Sequence, residues 1–168
     1  PTIMAGNVGL LKHASLTPEC AALLEETVAA AGAPRGLFRN LHIPSNRVEA
    51  IVADQRVAAV TLTGSEAAGA KVAEAAGRNL KKAVLELGGS DPFIVMPSAD
   101  VEQAAQVAVQ ARLQNAGQSC ICAKRMIVHA EVYDTFMECF VEGVRAYRVG
   151  DPLDEATQMG PLSSVRAR

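Results

Sequence analysis

The sequence predicts an α/β protein with a mostly parallel sheet and flanking helices. Short apolar runs such as 57–64 predict buried strands, and alanine-rich segments such as 65–80 predict helices. Strand and helix alternate along the whole chain, which is typical of parallel strands joined by helical crossovers. A chain of 168 residues is also long enough to bury a substantial core.

The first half of the chain contains four of these predicted strands and three helices. Thr17 is a possible cap of the first helix, Pro18 suits its first position, and Gly32 suits its end. Asn46 is a possible cap of the second helix. The predicted strands are 7–12, 36–43, 57–64 and 82–89, and the predicted helices are 15–32, 46–54 and 65–80.

The second half repeats the pattern with two strands and two helices. Strands are predicted at 91–96 and 125–130, and helices at 98–117 and 131–150. Ser98 or Asp100 can cap the long helix 98–117, which we expect to break near Gly117.

The bulk properties exclude several classes of function. A net charge of −2 with no like-charge block argues against nucleic acid as a partner. No apolar run is long enough to span a membrane, and the histidines and cysteines have no recognisable metal-ligand spacing. Four scattered cysteines without a signal peptide predict a reducing, cytoplasmic setting. The chain starts at Pro1 as though an element were already under way, and we expect a piece of a longer protein.

Three segments carry candidate chemistry. In TGSEAAG (63–69), a strand ends, Gly64 turns and a helix begins at Ser65, so backbone N–H groups there can hold a phosphate. In LELGG (85–89), Glu86 lies in an apolar strand, where burial would raise its pKa and suit a general base. The alternatives are a turn without a ligand and a Glu86 that faces solvent on an edge strand.

The third segment is NAGQSCICAKR (115–125). Cys120 is expected to be exposed at a helix end, where its thiol can attack a substrate and its own N–H can donate to an oxyanion. The alternative is that Cys120 and Cys122 are two small buried hydrophobic side chains. A hydrolase pairing Cys120 with His129 or His42 would explain neither Lys12 nor TGSEAAG.

Taken together, these segments resemble the aldehyde dehydrogenase superfamily. GNVGLLKHAS (6–15) resembles the family's coenzyme strand, TGSEAAG its coenzyme turn, LELGG its general-base motif and LQNAGQSCICA (113–123) its nucleophile motif, in the family's order. The resemblance implies an aldehyde dehydrogenase-like fold, with residues 1–86 from the NAD(P)-binding domain and residues 87–168 from the catalytic domain. It also implies that family members are far longer than this chain, and usually homodimers or homotetramers.

The resemblance implies specific roles for individual residues. Cys120 is the nucleophile that forms a thiohemiacetal and then a thioester with an aldehyde, and Glu86 is the base for hydrolysis. NAD or NADP is the implied cofactor, and its implied binding residues are Lys12, Ser15, Gly64, Ser65, Leu87 and Gly88. Ser15 stands where NAD-preferring members often have Glu, so it would admit a 2′-phosphate with Lys12 as counter-charge.

The same resemblance narrows the substrate. GGSDPFIVM and CICAKR look most like the succinate-semialdehyde dehydrogenase branch. Many of its members have Arg where this chain has Gln114, and Arg112 lies two residues earlier. Cys122 is a possible redox partner of Cys120, through a strained disulfide, or simply a packing residue. The family's P-W-N and E-x-F-G-P segments do not occur, so we expect the isolated chain to be inactive; a truncated, non-catalytic fragment is the alternative function.

Overall fold

Residues 1–167 are described by a computed structural model of the chain. The described residues contain six β-strands, five α-helices and short 3-10 turns. The strands are β1 (Gly9–Leu11), β2 (Phe38–Asn40), β3 (Ala59–Thr63), β4 (Lys82–Glu86), β5 (Asp91–Val95) and β6 (Ala123–Val128). The helices are α1 (Pro18–Ala30), α2 (Val48–Ala53), α3 (Glu66–Arg78), α4 (Val101–Leu113) and α5 (Tyr133–Arg145).

The described residues form two compact units, one covering Pro1–Glu86 and the other beginning at Leu87. The division falls between the two ranges that the sequence analysis assigned to different domains. Their identity as coenzyme and catalytic portions stays a prediction. The α/β class is confirmed, and each strand pair is parallel, but the strands form three two-stranded sheets instead of one continuous sheet.

The first unit consists of two parallel strand pairs with crossover helices. Helix α1 connects β1 to β2, and α3 connects β3 to β4. Glu25 on α1 ties that helix to β2, because its carboxylate accepts the Asn40 N–H at 2.8 Å and pairs with Arg39 at 2.8 Å. The small core under α3 consists of Val52, Ala75 and Ala76, with Val48, Val60 and Ala83 packed against it.

The second unit packs α4 and α5 against the β5–β6 pair. Its core is formed by Val95, Ala105, Ala108 and Phe136. Gly143 on α5 permits a close approach of the two helices, because a Cβ there would lie 2.9 Å from Val109 Cγ2. The Asp100 carboxylate caps α4 by accepting the Gln103 N–H at 3.1 Å, which is one of the two caps expected for this helix.

Several local predictions were wrong in detail. Thr17 precedes α1 but makes no capping hydrogen bond. Its hydroxyl instead donates to the Ala14 carbonyl at 3.5 Å. Asn46 lies inside a 3-10 turn (Ser45–Arg47) ahead of α2 and does not cap it. Helix α4 ends at Leu113 instead of near Gly117, because Asn115 and Ala116 take left-handed backbone angles with φ of 51° and 56°. A left-handed residue cannot continue a right-handed helix.

Candidate active site

The turn between β3 and α3 forms as expected. Gly64 follows the last residue of β3, and the Ser65 hydroxyl caps α3 by accepting the Ala68 N–H at 3.3 Å. As at every helix start, the first N–H groups have no intrahelical partner, and the helix dipole places partial positive charge there. The turn is exposed, so it can accept an anion such as a phosphate.

Glu86 lies at the same sheet edge as this turn. It is the last residue of β4 and pairs in register with Thr63 of β3. Its backbone carbonyl accepts the Gly64 N–H at 3.0 Å, so the end of β4 and the turn after β3 are joined directly. Within the described residues the Glu86 side chain is exposed, so the burial expected for a general base is wrong here and the solvent-facing alternative holds.

Lys12 directly follows β1, at the carboxyl end of that strand. Its half-buried side chain folds back on the chain, because Nζ donates to the His13 carbonyl at 2.6 Å. Ser15 is exposed three residues later in the same segment. Between them, buried His13 packs edge-on against His42, with ring centroids 5.1 Å apart. The carboxyl ends of parallel strands are where open α/β sheets bind their ligands.

Leu87 and Gly88 follow directly after β4 in the chain. The backbone φ of Gly88 is not left-handed, and a Cβ at this position would meet no atom within 4 Å. Neither backbone conformation nor packing among the described residues therefore requires glycine there. The open space beside Gly88 is compatible with close approach of a ligand to the backbone.

Cys120 lies in a tight turn ahead of β6, not at a helix end as the sequence suggested. The turn is closed by a hydrogen bond from the Cys122 N–H to the Ser119 carbonyl at 3.3 Å. Cys120 is exposed, whereas Cys122 is fully buried with its Sγ 3.5 Å from the Gln114 carbonyl oxygen. The alternative in which both cysteines are buried is wrong, and Cys120 is the accessible thiol of the pair.

The burial of Cys122 bears on its expected redox role. Its contact with the Gln114 carbonyl gives it a packing role of its own. A bond to Cys120 would require the Cys122 side chain to leave that contact and the turn to deform. The disulfide therefore stays a prediction.

Lys124 and Gly89 support the Cys120 turn, and the sequence analysis did not identify either. Lys124 Nζ donates to the carbonyls of Ser119 and Cys120, each at 2.9 Å. Gly89 packs against the turn from the other side, since a Cβ there would lie 3.2 Å from the Cys120 carbonyl oxygen. The one available signal was a lysine at the start of the strand that follows the cysteines.

Arg112, near the end of α4, contacts the segment that leads from that helix into the Cys120 turn. Its Nη1 lies 3.4 Å from the carbonyl of Gly117, whose φ of 74° is left-handed. Gln118 Oε1 accepts the Ser163 N–H at 2.9 Å, and its Nε2 donates to the Asn115 carbonyl at 3.1 Å. These contacts hold residues 115–118, the segment that precedes the Cys120 turn.

Other features of the described residues lie outside this chemistry. The hydrogen bonds from Arg56 hold the pKa of the Asp54 carboxyl well below its usual range, in the exposed loop after α2. Among residues 1–167, no group of three His, Cys, Asp or Glu side chains is arranged to hold a metal ion. No helix in that part of the chain is long and apolar enough to cross a membrane.

The first unit thus contains an exposed helix start and an exposed acidic strand end, and the second unit contains an exposed thiol in a tight turn. In a comparison with known proteins, the profile of the Aldehyde dehydrogenase family matches residues 1–168, and the chain belongs to that family.

Curated relatives point to one branch of the family. The chain is 58% identical over 168 residues to "Succinate-semialdehyde dehydrogenase [NADP(+)]" of Mycobacterium avium and spans 36% of that protein. It is also 58% identical to an "Aldehyde dehydrogenase" of Paenarthrobacter nicotinovorans, of which it spans 37%. The chain thus spans little more than a third of the length of the curated relatives it matches.

Solved structures share the fold at high similarity. A succinic semialdehyde dehydrogenase from Streptococcus pyogenes in complex with NADP+ superimposes with a TM-score of 0.93 at 48% identity, over 96% of this chain and 36% of that one. An aldehyde dehydrogenase from Pseudomonas syringae, complexed with NAD+ and octanal, gives a TM-score of 0.92 at 34% identity, over 96% of this chain and 34% of that one. The relatives thus include proteins that bind either dinucleotide.

Proposed function

We propose that the protein containing this chain oxidises an aldehyde to its carboxylic acid with NADP+ or NAD+ as the cofactor, and that the aldehyde is succinate semialdehyde. The observation that carries the proposal is the exposed Cys120 thiol in a turn fixed by Lys124, beside a buried second cysteine. Family membership supports the reaction type, and the names of the relatives support the substrate.

The residues present fit a dinucleotide. The Gly64–Ser65 turn offers backbone N–H groups at the start of α3 to a pyrophosphate, and the open space at Gly88 admits close approach to the backbone. Lys12 supplies positive charge after β1. When bound, the dinucleotide supplies the acceptor for the hydride that leaves the substrate carbon.

Cys120 carries the covalent chemistry. Its thiolate attacks the aldehyde carbon, a C–S bond forms, and the π electrons of the carbonyl move onto the oxygen. The Cys120 N–H is the donor that this chain can offer to the resulting oxyanion. Loss of hydride from the carbon restores the C=O bond and leaves a thioester on Cys120.

Glu86 serves the second half of the reaction. Its carboxylate takes a proton from the water that attacks the thioester carbonyl, the C–S bond breaks, and the thiolate is regenerated. The exposure of Glu86 at the end of β4 leaves its carboxylate accessible to water. Among the described residues, no hydrogen-bond partner holds the Glu86 carboxylate in one orientation.

The experiment compares the two cysteines of the Cys120 turn in the full-length protein. Cys120→Ala should abolish aldehyde-dependent reduction of NADP+, whereas Cys122→Ala should keep much of it because its thiol is buried away from solvent. Equal loss in both variants would contradict the assignment. The substrate is tested by comparing kcat/KM for succinate semialdehyde with that for butanal, which has the same carbon count but no carboxylate.

A truncated, non-catalytic protein is the alternative function. Two results together would support this alternative. The purified 168-residue chain would show no turnover, and mass spectrometry of the cells that produce it would find only this form of the protein and none that is longer.

A further inference from the structure

We infer that Lys124 is a positioning residue that fixes and polarises the Cys120 N–H, the donor for the oxyanion. This inference rests on the proposed function, since it matters only if Cys120 attacks a carbonyl. It starts from the two hydrogen bonds of Nζ, which reach the carbonyls on both sides of Cys120, at Ser119 and at Cys120 itself, each at 2.9 Å.

Because of peptide geometry, the hydrogen bond from Lys124 to the Ser119 carbonyl also determines the direction of the Cys120 N–H. The Ser119 carbonyl and the Cys120 N–H belong to one planar, trans peptide unit, in which the two groups point in opposite directions. An ammonium bonded to the carbonyl therefore sets the direction of the N–H. The second bond, to the Cys120 carbonyl, fixes the next peptide plane, so both planes that flank the nucleophile are held by one side chain.

Charge adds a second effect to the geometric one. Hydrogen bonds from an ammonium are roughly twice as strong as neutral ones. They also polarise the bonded peptide group, so that its N–H becomes a better donor to whatever lies on the far side. That far side is where negative charge develops when a thiolate attacks an aldehyde.

The other contacts of the turn make Lys124 a specific support. The Ser119 carbonyl also accepts the Cys122 N–H, but at 3.3 Å, which is longer than its bond from Lys124. Gly89 approaches the Cys120 carbonyl closely, but glycine has no side chain that could donate a hydrogen bond to it. Lys124 itself is half-buried at the start of β6, and the next residue, Arg125, donates to the Ser90 carbonyl at 2.8 Å.

The test uses two reactions of the same thiol in the full-length protein. Attack on the aldehyde builds an oxyanion and is measured by the rate of NADP+ reduction in the first turnover. Alkylation of Cys120 by iodoacetamide is a displacement at carbon that builds none. Lys124→Met should slow the first turnover about ten- to a hundredfold, less than the ~10²–10³ typical of removing an oxyanion donor outright. Alkylation should change less than about threefold, since it needs no such donor.

Two further variants complete the design. Lys124→Arg keeps a cation with several donors and should recover most of the first-turnover rate, while Lys82→Met removes an exposed lysine at the start of β4 and should leave both rates unchanged. If Lys124→Met loses its cooperative melting transition, Lys124→Gln, which keeps neutral donors, undergoes the same two measurements.

The outcomes separate this inference from the proposed function. Parallel losses of first turnover and alkylation, or no loss in Lys124→Met, would overturn the positioning role while leaving the dehydrogenase function in place. An unmodified protein that reduces no NADP+ with any aldehyde would overturn both.

Discussion

The turn at Gly64 and Ser65 is held by one capping hydroxyl and one backbone hydrogen bond to the end of β4, whereas the turn that carries Cys120 is held by the charged Lys124 side chain and by close packing of Gly89. The first needs a strand end, a glycine and a capping hydroxyl that bonds three residues ahead. The second has two hydrogen bonds from Lys124 of β6 to the Ser119 and Cys120 carbonyls and the close packing of Gly89. The two turns therefore place different demands on the sequence.

The difference has a physical reason in what each turn must hold. A helix start presents several N–H groups at once, and small changes in direction still leave an anion well bound. A nucleophile must be held close to its attack geometry, and a misplacement of about 1 Å can cost on the order of 10² in rate. Under the proposed function, the two hydrogen bonds from Lys124 would hold the Cys120 turn in such a geometry.

The largest expected effect distinguishes the role of Glu86, at the end of β4, from the role of Cys120. Glu86→Gln should leave attack by Cys120 intact and slow hydrolysis of the thioester by about 10²–10⁴, the range typical of a lost general base. In the full-length protein, rapid-quench measurements should show a normal first turnover followed by an acyl-enzyme that persists. Hydrolysis at the original rate would reject Glu86 as the base.

A smaller effect tests the turns themselves through stability. Gly117→Ala introduces a side chain at a φ of 74° and a Cβ 2.5 Å from Arg112 Nη1, so it should lower the free energy of unfolding by more than about 1 kcal/mol. Gly64→Ala is the matched control, because its φ is not left-handed and its Cβ would meet Leu62 at an ordinary 3.7 Å. Its stability should change by no more than about 0.5 kcal/mol.

Denaturant unfolding of both variants measures this difference. Equal losses of stability at Gly64 and Gly117 would contradict the view that the Cys120 turn is the more constrained of the two. An additional drop in first-turnover rate for Gly117→Ala would connect the strain in the turn to the chemistry of Cys120.

The comparison also explains what could be predicted from the sequence. Strands and helices followed from apolar runs and periodicity, and Asp100 was one of the two caps expected for the long helix because a cap bonds within its own turn. The end of α4 was misplaced because nothing in the residue types of Asn115 and Ala116 demands a left-handed backbone; alanine in particular disfavours it. Contacts from Arg112 and Gln118 with this segment accompany that conformation and are not visible as periodicity.

The site residues show the same difference between what the local sequence reveals and what depends on the fold. Cys120 and Glu86 were recognised from motifs, but the exposure of Glu86 and the support from Lys124 depend on which residues meet in space. The sequence also gave no sign that the α1 residues Leu23 and Leu24 would be 62% and 53% exposed among the described residues, since their helical spacing alone suggests a core.

The smallest expected effect concerns the choice between the two dinucleotides at the end of β1. Ser15 is exposed three residues after Lys12, whose ammonium is held on this segment by the His13 carbonyl. A carboxylate at this position would repel a 2′-phosphate and could accept hydrogen bonds from ribose hydroxyls. Ser15→Glu should therefore raise the KM for NADP+ about tenfold relative to that for NAD+, which corresponds to about 1.4 kcal/mol of differential binding.

The matched control is Thr17→Glu, which adds the same charge to the exposed surface two residues further along. It should shift the ratio of the two KM values less than Ser15→Glu does, because a carboxylate outside the ribose pocket acts on the 2′-phosphate only through solvent and salt, which weaken the repulsion. Steady-state kinetics of both variants in the full-length protein, at two salt concentrations, measure this ratio. If Ser15→Glu changes both KM values equally, or if Thr17→Glu has the same effect, Ser15 does not line the ribose pocket, and the selectivity must come from Lys12 or from outside this segment.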